Sequence, residues 1–230
     1  IPDIALANLL NVSPNNDFKI YTYSVSTKSS WSITAKGNVV VGSGGSLPNY
    51  KIMALSSGLY NIKKPNQRQI ALAVAYIDPS DNQKIKRQLF IASTPSFKTD
   101  GVNALNTITV AASPYTYSDF YNNLPSINLK SGDLDQNFTD EIVFAFGTSF
   151  DIFTTDSNLV ITKKGNGGAG TSSGDFYKLA TGSYLDIADV DKDFIQDIII
   201  GSTYDDGNNF HYLSLSIFDA KAVVNGNNPV

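Results

Sequence analysis

Residues 189–201 read Asp-Val-Asp-Lys-Asp-Phe-Ile-Gln-Asp-Ile-Ile-Ile-Gly, so Asp189, Asp191 and Asp193 alternate and Asp197 follows just before an apolar run. Carboxylates crowded this closely repel one another unless a cation neutralises them. Ca²⁺ takes six to eight hard oxygen ligands at about 2.3–2.6 Å, and alternate side chains of a tight loop can supply them. A second copy lies upstream, where Asp133, Asp135, Asn137 and Glu141 fall in the same register before Ile-Val-Phe-Ala. In such a loop, positions 1, 3 and 5 offer side-chain oxygens. Position 7, Thr139 or Ile195, offers a backbone carbonyl, and the ninth residue closes the site with a carboxylate. An EF-hand needs a Glu at position 12 and a helix on each side. Position 12 here is Phe144 or Ile200, inside a β-branched or aromatic run that fits a buried strand. The motif is therefore loop, then strand. The bland alternative is an Asp/Asn-rich turn without metal, since these side chains also cap their own backbone.

The strand that follows each loop recurs along the chain. Asp3-Ile-Ala-Leu-Ala and Gln69-Ile-Ala-Leu-Ala match Glu141-Ile-Val-Phe-Ala and Asp197-Ile-Ile-Ile-Gly. After residues 3, 69 and 197 comes a polar turn (Ser13–Asp17, Asp78–Asn82, Asp205–Asn209) and then a second strand-like run. After residue 141 the link is short, Gly147-Thr-Ser. Strand, turn, strand is a β-hairpin. In the same register, the unit at Gln69 has Asn61, Lys63 and Pro65 at its first three ligand positions. Lys63 would place a positive charge where a cation belongs, so this loop is expected to be metal-free. Asp3 is a closing residue whose loop would precede residue 1, which reads as a chain that begins within a repeat.

These loops and strands resemble the FG-GAP repeats of the integrin α-subunit propeller and the similar VCBS-type repeats, whose pattern is Asp-x-Asp-x-Asp-Gly-x-x-Asp before a short apolar strand. The resemblance covers two loops well, the Gln69 unit in degenerate form and the Asp3 unit in part. It implies an all-β fold over residues 1–230, a β-propeller of four-stranded antiparallel blades with Ca²⁺ in two loops. Its ligands would be Asp133, Asp135, Asn137 and Glu141 in one loop, and Asp189, Asp191, Asp193 and Asp197 in the other. About four repeats, incomplete at the ends, imply part of a larger ring. One departure is shared by both copies: the family's Gly at position 6 is Phe138 or Phe194 here, and positive φ is costly for a bulky residue.

Composition narrows the function classes. Lys plus Arg number 17 and Asp plus Glu 21, for a net charge of −4. No basic stripe stands out, which argues against nucleic acid as partner. There is no Cys, so zinc–thiolate sites and disulfides are excluded. No run approaches the roughly 20 apolar residues of a transmembrane helix. Calcium loops point to an extracellular or cell-surface location, where weak sites of ~10⁻⁴–10⁻³ M can fill. Two sequons occur, at Asn11 and Asn137, and a glycan on Asn137 would exclude its use as a ligand.

Other signals are weaker. Tyr115, Tyr117, Phe120 and Tyr121 form an aromatic cluster that could contact a sugar or a protein loop, or pack against a neighbouring blade. Gly165–Gly174 lacks the Lys-Ser/Thr of a phosphate cradle and reads as a surface loop. His211 is the only His and has no Cys or nucleophile elbow to work with. The expected function is non-catalytic: a calcium-stabilised propeller that mediates adhesion or recognition of a protein or glycan, completed by the rest of its parent protein. The alternatives are the scaffold of a polysaccharide-acting enzyme, or a structural subunit of a large surface or toxin assembly.

Overall fold

The computed structural model describes residues 3–12, 15–26, 32–41, 50–61, 63, 68–78, 81–93, 106–110, 127–147, 149–168, 182–205 and 211–224, with β1–β3 described by their backbone. The fold is all-β and antiparallel. Its strands are β1 (Asp3–Val12), β2 (Asn15–Ser26), β3 (Ser32–Val41), β4 (Tyr50–Gly58), β5 (Gln69–Asp78), β6 (Asp81–Ser93) and β7 (Asn106–Val110), then β8 (Ile127–Gly132), β9 (Glu141–Phe146), β10 (Ser149–Thr155), β11 (Ile161–Gly168), β12 (Gly182–Ala188), β13 (Asp197–Asp205) and β14 (His211–Phe218). One short helix, Ala220–Val224, follows among the described residues. A single turn of five residues is too short to display a helical period, which is why the sequence did not announce it.

Among the described residues four sheets form, each from one contiguous stretch of chain: β1-β2-β3, β4-β5-β6-β7, β8-β9-β10-β11 and β12-β13-β14. Every connection within a sheet joins neighbouring antiparallel strands, so each sheet is a meander. The hairpins expected from the sequence are all present. Asp3, Gln69, Glu141 and Asp197 each begin a strand. β5, β9 and β13 stand second in their sheets, whereas β1 stands first.

The alternation of the recurring strand explains how the sheets stack. In β9, Ile142, Phe144 and Phe146 face the β4–β7 sheet and pack with Ala71, Ala73, Ala75, Leu89 and Ile91. The opposite face, Val143 and Ala145 with Phe150 and Ile152 of β10, packs on Leu185, Ile198 and Ile200 of the β12–β14 sheet. Each second strand thus sends branched or aromatic side chains one way and mostly smaller ones the other, as period-two side-chain alternation requires. The first strands follow suit, with β4 lying against β8 and β8 against β12. A buried ion pair crosses the same joint: Arg87 Nη2 of β6 lies 3.4 Å from Asp151 Oδ2 of β10. Its guanidinium sits over the rings of Phe144 and Phe146, 5.7 and 5.3 Å from their centroids.

The glycine-rich run corrects one expectation. Residues 165–168 complete β11 and pair with β10; they are not a loop. A Cβ on Gly165 would come within 2.6 Å of the Val223 carbonyl oxygen, and one on Gly167 would strike the Phe150 ring. Glycine here lets the short helix and a buried aromatic ring approach the strand. Residues 169–174 lie outside the described residues.

Candidate metal centres

Both acidic loops connect the first and second strands of their sheets. Glu141 pairs with Gly132 and Asp197 with Ala188, so each loop closes over the same number of residues. The closing carboxylate takes the N–H of position 2: Leu134 N donates to Glu141 Oε2 at 2.9 Å, and Val190 N to Asp197 Oδ2 at 3.0 Å. Position 1 takes the N–H of position 6: Phe138 N donates to Asp133 Oδ2 at 3.0 Å, and Phe194 N to Asp189 Oδ2 at 3.1 Å. Position 3 takes the N–H of position 5, from Asn137 to Asp135 and from Asp193 to Asp191. Position 5 takes the N–H of position 7, from Thr139 to Asn137 and from Ile195 to Asp193. The Thr139 hydroxyl also donates to Asn137 Oδ1. The two loops are copies of one hydrogen-bonded frame.

The backbone repeats as well. Gln136 and Lys192 at position 4 have φ of 61° and 67°, and Phe138 and Phe194 at position 6 both have φ of 69°. The left-handed turn that glycine would serve is therefore kept with a Phe in it. Both rings project into solvent, 85% and 88% exposed, which spares the loop interior their bulk.

This frame gathers carboxylates. Asp133, Asp135 and Glu141 bring one oxygen each within 4.8 Å of one another, and so do Asp189, Asp191 and Asp197. Two oxygens held at about 2.3–2.6 Å from one ion lie at most about 5 Å apart, so this spacing fits a shared Ca²⁺. Asn137 and Asp193 also belong to the frame, where each spends an oxygen on the N–H at position 7. Thr139 and Ile195 are buried at the foot of each loop. Tyr115, Tyr117, Phe120 and Tyr121 lie outside the described residues.

The electrostatics are those of unneutralised clusters. Burial pushes the Glu141 carboxyl up to about 7, the Leu134 N–H pulls it back, and the charges of Asp135 and Asp133 raise it further. Asp197 is raised by burial, held down by the Val190 N–H, and raised by Asp191, Asp193 and Asp219. A bound cation would reverse this logic by favouring the charged forms.

The loop before β5 has another register than the simplest sequence alignment gives. Gln69 pairs with Gly58, so two extra residues enter this loop and Leu59, not Asn61, stands at position 1. Tyr60 N donates to Gln69 Oε1 at 2.8 Å, the position-2 bond of the other loops with a neutral acceptor. Asn61 instead caps Lys63 N. The residue pattern behind the expected loss of metal changes: an apolar residue stands at position 1 and an uncharged residue at the closing position, rather than a Lys at position 3.

Two contacts that sequence reasoning missed tie the loops together. Asp140, at position 8, accepts from Leu59 N at 2.8 Å while its own N–H donates to the Leu59 carbonyl at 2.9 Å. Gln196 holds the same position in the next loop and comes against Gly132, as Asp140 comes against Gly58. Its buried Oε1 has no hydrogen-bond partner among the described residues. Gln136 Nε2 donates across to the Phe194 carbonyl at 3.1 Å, linking one acidic loop to the other. The recurrence of a polar residue just before the closing carboxylate was the available signal for the first contact; nothing local marked the second.

The chain matches no protein-family model and none of the curated proteins searched. Among the described residues, no helix is long and apolar enough to cross a membrane.

Proposed function

We propose that the two acidic loops hold Ca²⁺ and that the chain is a calcium-stabilised, non-catalytic β-propeller region that recognises a protein or glycan outside the cell. The observation that carries this reading is the duplicated frame: two loops that share four hydrogen bonds, left-handed backbone at the same two positions and converging carboxylates at the same three positions. Asp133, Asp135 and Glu141 would hold one ion, and Asp189, Asp191 and Asp197 the other, with Asn137, Asp193 and the carbonyls of Thr139 and Ile195 completing the donor sets. The ion's work would be structural, tying the end of one strand to the start of the next. Consecutive meander sheets stacked face to face support a propeller, whose blades are of this kind.

Recognition would fall to the end of the molecule where the loops lie. Phe138 and Phe194 stand exposed there on adjacent, hydrogen-bonded loops, and aromatic rings supply contact area at low entropic cost. Isothermal titration of the metal-stripped protein with Ca²⁺ tests the reading. Two sites that fill in the range of extracellular calcium are expected; no heat, and no metal in the purified protein, would overturn it.

A further inference from the structure

Phe138 and Phe194 present their rings to solvent from adjacent loops that the hydrogen bond from Gln136 to the Phe194 carbonyl joins. Both take a φ of 69°, where a side chain costs energy that glycine would spare. The fold recovers nothing for that cost, because an exposed ring removes almost no apolar area from water. Phe138 stays exposed although the β12–β14 sheet lies beside its loop: Leu134, four residues earlier, is buried with Leu185 and Ile198 of that sheet. The exposure of the ring therefore belongs to the loop itself and not to an uncovered edge. Strained backbone that serves no packing within the molecule points to a use outside it.

The surroundings of the two rings set the chemistry of that use. Residues 133–141 and 189–197 carry eight carboxylates and one cation, Lys192, a formal charge of −7 that two divalent ions would reduce to −3. The rings thus stand in a negative field with the ions bound or absent. Resting on the recognition reading above, we propose that Phe138 and Phe194 anchor a cationic protein partner, one that presents lysine or arginine side chains. A guanidinium or ammonium group is attracted to the face of an aromatic ring. The carboxylates around the rings complement the same charge and steer its approach. An anionic lipid surface or an acidic glycan would meet like charge here, and a neutral sugar would gain nothing from the field.

Fluorescence anisotropy with a labelled arginine–glycine repeat peptide, and a glutamate–glycine repeat as its control, tests this in Ca²⁺ and in EDTA. Wild type should bind the arginine peptide and not the glutamate peptide, more weakly as salt rises. Phe138→Gly/Phe194→Gly keeps every charge and suits the backbone; it should bind about tenfold more weakly, with an unchanged circular dichroism spectrum. Equal affinity for wild type and variant would overturn the proposal, since the acidic loops alone would then attract the peptide. So would no binding of the arginine peptide, or ring-dependent binding to phosphatidylcholine/phosphatidylserine vesicles in its place. Should the double variant unfold, Phe194→Asn, whose short side chain tolerates left-handed backbone, gives the same comparison. The calcium reading fails separately: ring-dependent peptide binding by a protein that takes up no Ca²⁺ would remove the ions and keep the partner, and Ca²⁺ uptake without such binding would do the reverse.

Discussion

Gln136 Nε2 donates to the Phe194 carbonyl across 3.1 Å, so a residue of the first acidic loop holds the backbone of the second. The two loops are therefore joined, and on the proposed reading an ion that orders one of them would also order the residue bonded to it in the other. A ligand that shifts a shared element lowers the ordering cost of the next ligand. Titration of the wild-type protein should show the second Ca²⁺ binding more tightly than two independent sites allow. Gln136→Ala should return the sites to independence with total capacity unchanged. Identical isotherms for both proteins would remove the coupling.

Glu141 sets a pH dependence of definite sign. Its folded value of about 7 lies above the ordinary 4.5, so between these values the cation-free fold holds a proton that the unfolded chain has released. The corresponding stability is full below the ordinary value and is lost as pH rises toward 7. Asp197 acts in the same direction. In EDTA, wild-type Tm should therefore drop between about pH 5 and about pH 8 relative to Glu141→Gln. In Ca²⁺ the trend should reverse, because protons compete with the ion. Parallel curves for the two proteins in EDTA would contradict the assignment.

Phe194 occupies left-handed backbone with its ring in solvent. Replacing it by Gly removes a penalty of about 1–2 kcal/mol and returns part of that through the freer unfolded chain. Phe194→Gly should keep or raise Tm and keep Ca²⁺ affinity, while weakening any partner that uses the ring. A clear fall in Tm would mean that the ring is packed.

Asp151 neutralises buried Arg87 and also receives Lys163. Removing one partner of a buried ion pair costs about 3–5 kcal/mol where the remaining charge is left uncompensated. Asp151→Ala should be among the most destabilising single changes between the β4–β7 and β8–β11 sheets, read by urea denaturation. A loss below about 1 kcal/mol would place the Arg87 charge in contact with solvent.

What the sequence disclosed was local and periodic. Ile-Ala-Leu-Ala after Gln69 carries the two-residue alternation of large and small side chains in a strand buried on both faces, and the closing residue marks where each strand begins. The loop frame was legible because each hydrogen bond spans only a few residues. Insertions were not: two extra residues before Gln69 move Leu59 into position 1, and only the pairing of Gln69 with Gly58 shows it. Gly165 and Gly167 read as loop residues until Val223 and Phe150 are seen against them. Contacts between sheets, such as Gln136 with Phe194 or Asp140 with Leu59, join residues far apart in the chain and leave no period to read.

The most direct measurement is a thermal melt of the chain in excess Ca²⁺ and in EDTA, with the metal content of the purified protein determined alongside. A hundredfold excess over Kd should add about 2.7 kcal/mol per site, a Tm rise of several degrees for each. Asp191→Ala should lose about half of the rise. Superimposed melts with no bound metal would contradict the account, and would leave the two loops as self-capped turns in a stack of antiparallel sheets.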